Sequence, residues 1–337
     1  MSRQLSIARA TVVCTIISVL SGCSSASNPT PAPRAYAAGI QAKPQLGGRW
    51  TEKATMPTSR SELAAAVVNG ILYAVGGTSR CCTLDTVEAY DPATDTWTTK
   101  SSMPTAAWGP SAGAVGRKLY AVGGVCYCSS KIVQAYDPST DSWTIKAPMP
   151  GYRAESGEGV INGKLYVVGG YGDGYATYSL LAYDPSTDSW TKKAGMPRAR
   201  TELAAGVVNG ILYAVGGWNW KYKNVDWVDA YDPATNTWTA KAPMPTARLG
   251  LTVGVVDGKL YAIGGRNTTL LNTVEAYDPK TNTWSTVTPM PSHREFLASG
   301  VVKGILYAVG GWEGAIPINT VEAYNPATNT WSARAGL

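Results

Sequence analysis

A seven-residue string, Ile71-Leu72-Tyr73-Ala74-Val75-Gly76-Gly77, returns five more times with small changes, at 118–124, 164–170, 211–217, 259–265 and 305–311. Its second glycine falls at 77, 124, 170, 217, 265 and 311, so the spacings are 47, 46, 47, 48 and 46 residues. So regular a period restricts the chain to a repeat architecture, in which each unit buries its apolar faces against its neighbours.

Within the first unit, residues 61–68 are small and apolar, and Asn69-Gly70 supplies the positive φ angles of a two-residue hairpin turn. A second strand runs from Ile71 to Val75 and stops at Gly76-Gly77. After a variable loop come a third strand over 85–90, the turn Asp91-Pro92-Ala93-Thr94-Asp95 and a fourth strand over 97–100. Four short strands make an antiparallel sheet with two apolar faces, and nothing after residue 23 reads as a helix that could cover them. Radial stacking that closes on itself buries both faces and protects the edges. The expectation is an all-β, six-bladed propeller with four antiparallel strands per blade, one domain over 47–337. One ambiguity stands at its closure. Arg49-Trp50-Thr51-Glu52-Lys53-Ala54 reads as a further fourth strand ahead of the first unit, while the last unit has its own around Trp331. Either could complete the final blade.

The Gly-Gly pair after a strand, the Tyr three residues before it and a Trp twenty residues after it resemble the kelch repeat over roughly 49–337. These tryptophans are Trp97, Trp143, Trp190, Trp238, Trp284 and Trp331. The resemblance implies that Tyr and Trp pack between blades, so they are structural rather than catalytic. The glycines do there what only a residue without Cβ can do.

Four residues after each Met of the Met-Pro (once Met-Pro-Gly) entry stand Arg60, Ala107, Arg153, Arg200, Arg248 and Arg294. In kelch propellers the strand that follows is innermost, so the resemblance implies a ring of arginines at the mouth of the central channel. Kelch substrate adaptors use such arginines on acidic peptides, and a guanidinium fork suits a carboxylate or phosphate. Two residues further on, along the same strand face, come Glu62, Gly109, Glu155, Glu202, Gly250 and Phe296. The three carboxylates depart from the small residue usual there. They either pair with their own arginines or face a common polyol, cation or ammonium group. Directly after the glycines stand Thr78, Val125, Tyr171, Trp218, Arg266 and Trp312. Tyr171, Trp218 and Trp312, with Trp220 and Tyr222 in the longer loop of the fourth unit, are candidates for stacking on sugar rings or peptide side chains, or for packing on neighbouring loops.

Cys81, Cys82, Cys126 and Cys128 lie in matching loops of the first two units. In an exported chain they read first as two disulfides of undetermined connectivity. His293 is the only histidine, so a catalytic triad or a copper site of the galactose-oxidase kind is not expected. No phosphate-binding glycine loop precedes a helix, and no cofactor or metal is expected. A formal charge of +6 without a Lys/Arg run gives no signature of nucleic-acid binding.

Residues 1–23 read separately. Arg3 and Arg9 precede an apolar run over 10–20, too short to span a bilayer but right for a signal-peptide core. It ends in Leu20-Ser21-Gly22-Cys23, which resembles a bacterial lipobox and implies lipidation of Cys23. Residues 24–46, rich in Ser, Ala and Pro, read as a tether. The expectation is a monomer, exported and held at the cell envelope by a lipid anchor.

Two functions follow. The first is a binding module that takes a protein, peptide or glycan on its Arg- and aromatic-lined face. The second is an enzyme similar to the exported kelch sialic acid mutarotases, with Glu155 or Glu202 as acid or base beside Arg153 or Arg200. An arginine two residues away is expected to lower the glutamate pKa, which favours base chemistry and weakens the enzyme reading.

Overall fold

The computed structural model describes residues 53–333 apart from Cys81 and Tyr127. The export signal, Cys23 and the tether lie outside these residues. Blade 1 takes Ala64–Val68, Ile71–Val75, Val87–Asp91 and Thr96–Lys100, in that order and antiparallel. The same four-strand order recurs in five further sheets, the last built from Ala298–Val302, Ile305–Val309, Val321–Asn325 and Thr330–Ala333. The expected six-bladed, all-β propeller is what forms, and no helix occurs among the described residues.

The turns follow their residues. Val68 pairs with Ile71 across Asn69 and Gly70, both at positive φ (52° and 79°), which matches the right-handed twist of the flanking strands. First strands of neighbouring blades approach one another around the axis, while fourth strands lie outermost and mostly exposed. The loops after Gly-Gly in blades 2, 3 and 4 fold into small two-stranded hairpins, Trp218–Asn219 with Lys223–Asn224 in blade 4.

One device, repeated six times, joins the blades. The last residue of each Asp-Pro or Asn-Pro turn, Asp95 in blade 1 and Asn329 in blade 6, adopts positive φ, which Asp and Asn tolerate best after glycine. Its Oδ1 accepts the hydroxyl of the third-strand tyrosine (Tyr90 at 2.6 Å) and a backbone N–H from the segment entering the blade (Ala54 at 2.9 Å). The blade's tryptophan donates Nε1–H to that same segment, Trp97 to the Ala54 carbonyl at 3.0 Å. The tyrosine ring lies 5.1 Å from that tryptophan and 5.6 Å from Tyr307 of the preceding blade. Buried Tyr thereby keeps both its apolar area and its hydroxyl satisfied.

This device resolves the ambiguity at closure. Thr330–Ala333 pairs with Val321–Asn325 and completes blade 6 locally. Ala54 takes against blade 1 the place that Ser101 takes against blade 2, where Trp143 donates to the Ser101 carbonyl. The entering segment also bonds back to blade 6, Met56 N–H to Asn319 O and Arg60 N–H to Ile318 O. Both ends therefore contribute to closure.

Candidate functional site

A ring of backbone hydrogen bonds encircles the axis. Glu62 N–H donates to Phe296 O, Gly109 to Glu62, Glu155 to Gly109, Glu202 to Glu155, Gly250 to Glu202 and Phe296 to Gly250, at 2.7–3.0 Å. All six residues have positive φ, between 52° and 61°. Glycine suits that conformation in two blades. A side chain there costs about 1–2 kcal/mol, yet three blades keep a glutamate. Strain retained at a concave site is a pointer to function.

Above the ring Glu62, Glu155, Glu158 and Glu202 line an axial cavity of about 120 Å³, with Phe296, Thr252 and Ser299 among its other walls. No lysine or arginine lines it. Thr201 donates its hydroxyl to Glu155 Oε2 at 2.9 Å. Beside the ring, buried Glu295 pairs with Arg266 at 2.6 Å. Burial pushes the Glu62 carboxyl up to about 7, with further repulsion from Glu155 and Glu295. Glu202 is pushed up to about 8 by burial and then by Glu155, Glu295 and Glu62, against a smaller lowering by Arg266. Burial raises Glu158 to about 8 and also raises Glu155, which the Thr201 hydrogen bond partly offsets.

The arginines are elsewhere. Arg60, Arg200, Arg248 and Arg294 have fully buried side chains and do not reach the channel mouth. Arg294 shows the pattern: Nη1 donates to Gly310 O (2.7 Å) and Thr320 O (3.0 Å), and Nη2 to Ala308 O (3.2 Å) and Glu322 (2.8 Å). Arg60 pairs with Glu88, Arg200 with Asp229 and Arg248 with Glu275. Arg153, also buried, bonds Tyr152 O and Ser179 Oγ and has no carboxylate in a salt bridge.

Two expectations are therefore corrected. The glutamates do not pair with their own arginines, and their pKa values move up rather than down. The physical reason is the positive-φ residue itself. The first strand begins only at Ala64, so Arg60 and Glu62 are not alternate residues of one extended strand. The chain turns Arg60 into its blade and Glu62 towards the axis.

The rim residues stand one step out from the ring. Tyr171 bridges Ala154, Trp218 bridges Thr201 and Trp312 bridges Glu295, each pair antiparallel, and all three rings are half-buried. Thr201 thus touches both Trp218 and Glu155, linking rim to cavity. Of the cysteines, only the Cys82 side chain falls among the described residues; its Sγ is 3.4 Å from Ser79 Oγ. No disulfide is found among the described residues.

The raised carboxyls have a consequence for stability. The unfolded chain releases these protons near 4.5, whereas the folded cavity holds them to about 7 and 8. Stability contributed by these groups is therefore full at acid pH, falls as pH rises from about 4.5 to about 8, and is flat beyond. Melting temperature measured across this window should show the slope in the wild type. Glu62→Gln/Glu202→Gln, which fixes the neutral form at two of the raised sites, should reduce the slope to the part that Glu155 and Glu158 contribute and should melt higher at the alkaline end.

Comparison with known proteins follows this geometry. The kelch motif matches residues 59–104, 109–150, 247–291 and 293–337, together more than half of the chain. The KLHDC2/KLHL20/DRC7 kelch-repeats domain matches 131–265. The solved structure of YjhT superposes with a TM-score of 0.74 over 84% of this chain and 99% of its own, at 18% identity, a likeness of fold. No curated protein matches. Kelch propellers in general serve as binding modules, and by its repeats, its blades and its inter-blade Tyr and Trp the chain belongs to the kelch-repeat family.

Proposed function

We propose that the protein is a binding module for a glycan or peptide that lies across the aromatic rim and inserts one small hydrogen-bond-donating group, a hydroxyl or an ammonium, into the axial cavity. The observation that carries this is the convergence of Glu62, Glu155 and Glu202 on a cavity with no basic residue in its walls. A space of about 120 Å³ takes only a few heavy atoms, well below the volume of a whole ligand site, so the remainder of the ligand must lie outside. Tyr171, Trp218 and Trp312 provide the surface for it. An acidic group in the cavity is disfavoured, because the arginines that would hold it are buried in the blades.

Titration of tryptophan fluorescence with neutral oligosaccharides, amino sugars and basic peptides tests the reading. A ligand found this way should bind about tenfold or more weakly to Glu155→Gln/Glu202→Gln and to Trp218→Ala, since a hydrogen bond to a charged group is worth about 1.5–3 kcal/mol. Affinity unchanged in both variants would remove the mouth as the site.

One observation favours a second reading. Glu202, pushed up to about 8, and Glu155, also raised by burial, are suited to general acid–base work. Glu155 and Glu202 could then open a sugar ring as a mutarotase does, on a neutral or amino sugar rather than an acidic one. Turnover of separated anomers, lost in Glu155→Gln with affinity retained, would distinguish it from binding alone.

The same proposal places the propeller outside the cytoplasm, with the membrane as a second partner through lipidated Cys23. Cys81, Cys82, Cys126 and Cys128 then form two disulfides across the first two blades. Mass spectrometry of the mature protein, before and after reduction, reads both.

A further inference from the structure

Among the described residues, every large aromatic side chain that stands exposed on the surface lies on two neighbouring blades. Tyr152, Tyr175, Tyr178, Trp220 and Tyr222 are between 40% and 71% exposed, and among the described residues the other blades have none. Exposed apolar area collected in one sector marks an interaction site. The five are joined through the structure. Tyr152 sits at the foot of the hairpin that carries Tyr175, where a Cβ on Gly172 would collide with its carbonyl. The Tyr178 ring covers Gly195 in the segment entering blade 4. Three residues later Arg198 lies over the face of Trp227 at 4.0 Å, and Tyr222 meets that indole at 5.4 Å. Trp220 stacks edge-on against Trp218 at 4.4 Å, which ties this sector to the rim.

Charge in the sector is of the opposite sign to the cavity. Lys131 lies over Tyr152 at 4.7 Å, Lys221 over Tyr222 at 5.1 Å and Lys223 over Trp218 at 5.7 Å. Asp229 serves two guanidinium groups, Arg198 at 3.1 Å and Arg200 at 2.6 Å, where Glu88, Glu275 and Glu322 each serve one. Arg153 of blade 3 has no salt-bridged carboxylate at all. Asp173 on the blade 3 hairpin acts on buried Arg153, and the charge displayed among the stacking faces is that of Lys131, Lys221 and Lys223.

We propose that this sector of blades 3 and 4 binds an acidic polysaccharide. Sugar rings stack on Tyr175, Trp220 and Tyr222, and their carboxylates meet Lys221, Lys223 and the exposed part of Arg198. A polymer is indicated because the faces run across two blades. A single-stranded nucleic acid would also stack, but its charges lie on a backbone set apart from the bases and call for a continuous basic groove, whereas a uronate carries its carboxylate on the stacked ring itself, where Lys221 over Tyr222 and Lys223 over Trp218 can meet it. The inference rests on the reading that this side of the propeller takes a ligand, though not on the cavity glutamates.

Electrophoresis of the folded protein through native gels containing polygalacturonate, neutral dextran or oligothymidylate is the test. Polygalacturonate should retard the wild type, and retardation should fade as salt rises. Trp220→Ala/Tyr222→Ala and Lys221→Ala/Lys223→Ala, all at exposed positions, should each weaken it about tenfold or more. Glu155→Gln/Glu202→Gln should be retarded like the wild type, so loss of the cavity ligand and loss of the polymer are read separately. No retardation at low salt, equal retardation by dextran or oligothymidylate, or retardation unchanged in both rim variants would overturn the proposal.

Discussion

Arg294→Met should destabilise the propeller by about 3–5 kcal/mol, the range for removing one partner of a buried ion pair. The guanidinium satisfies three carbonyls and the Glu322 carboxylate, all out of water. Without it Glu322, 1% exposed, becomes a buried acid with no cation. Replacing both partners, Arg294→Met with Glu322→Leu, should recover most of the loss, because no charge is then left uncompensated. Arg153→Met leaves no carboxylate behind and should cost only about 1–2 kcal/mol, mostly from lost hydrogen bonds. Guanidinium denaturation of the four proteins measures all of this. Equal losses at Arg153 and Arg294 would mean that the buried acid is not what matters. These arginines entered as candidate ligand residues; the structure makes them the bolts of the blades.

Gly217→Ala should be nearly as damaging, at about 2–4 kcal/mol. Its φ is 107°, and a Cβ would lie 2.6 Å from the Thr201 carbonyl oxygen and 2.9 Å from Leu203 Cβ. Neither can retreat easily: Thr201 is bridged to Trp218 and bonded to Glu155. Gly210→Ala is the control, with φ 78° in the same left-handed region at its turn. Nothing lies within 4 Å of its Cβ position, so only the backbone term remains, about 1 kcal/mol. Denaturation midpoints should therefore separate the two glycines clearly. The Gly217 variant should also disturb rim and cavity together, since the same carbonyl lies between them.

The blades were legible because the period, the Asn-Gly turns and the paired glycines each have a local cause. The site was only partly so. Glu62, Glu155 and Glu202 were visible as a departure from the repeat, and the structure does bring them to one cavity. The direction of the arginines was misread, because a positive-φ residue between Arg60 and Ala64 breaks the alternation that an extended strand would impose. The true partners stand about 28 residues on, and the repeat carried a signal for them. Where blade 2 replaces arginine by Ala107, it also replaces the acid by Gln134, whose amide caps Thr105 instead. Blade 3 has Leu181 at that position, which leaves Arg153 without an acid. Glu158 and the Glu295–Arg266 pair had no counterpart in other units and could not be placed from spacing.

The most direct test of the carboxylate cavity is a titration of its side chains by carbon-13 NMR, with glutamate carboxyls labelled. Three resonances should titrate well above the usual carboxylate range, one near 7 that vanishes in Glu62→Gln and two near 8 that vanish one each in Glu202→Gln and Glu158→Gln. If every glutamate instead titrates near 4.5, the cavity is wet and compensated, and the account of the site fails.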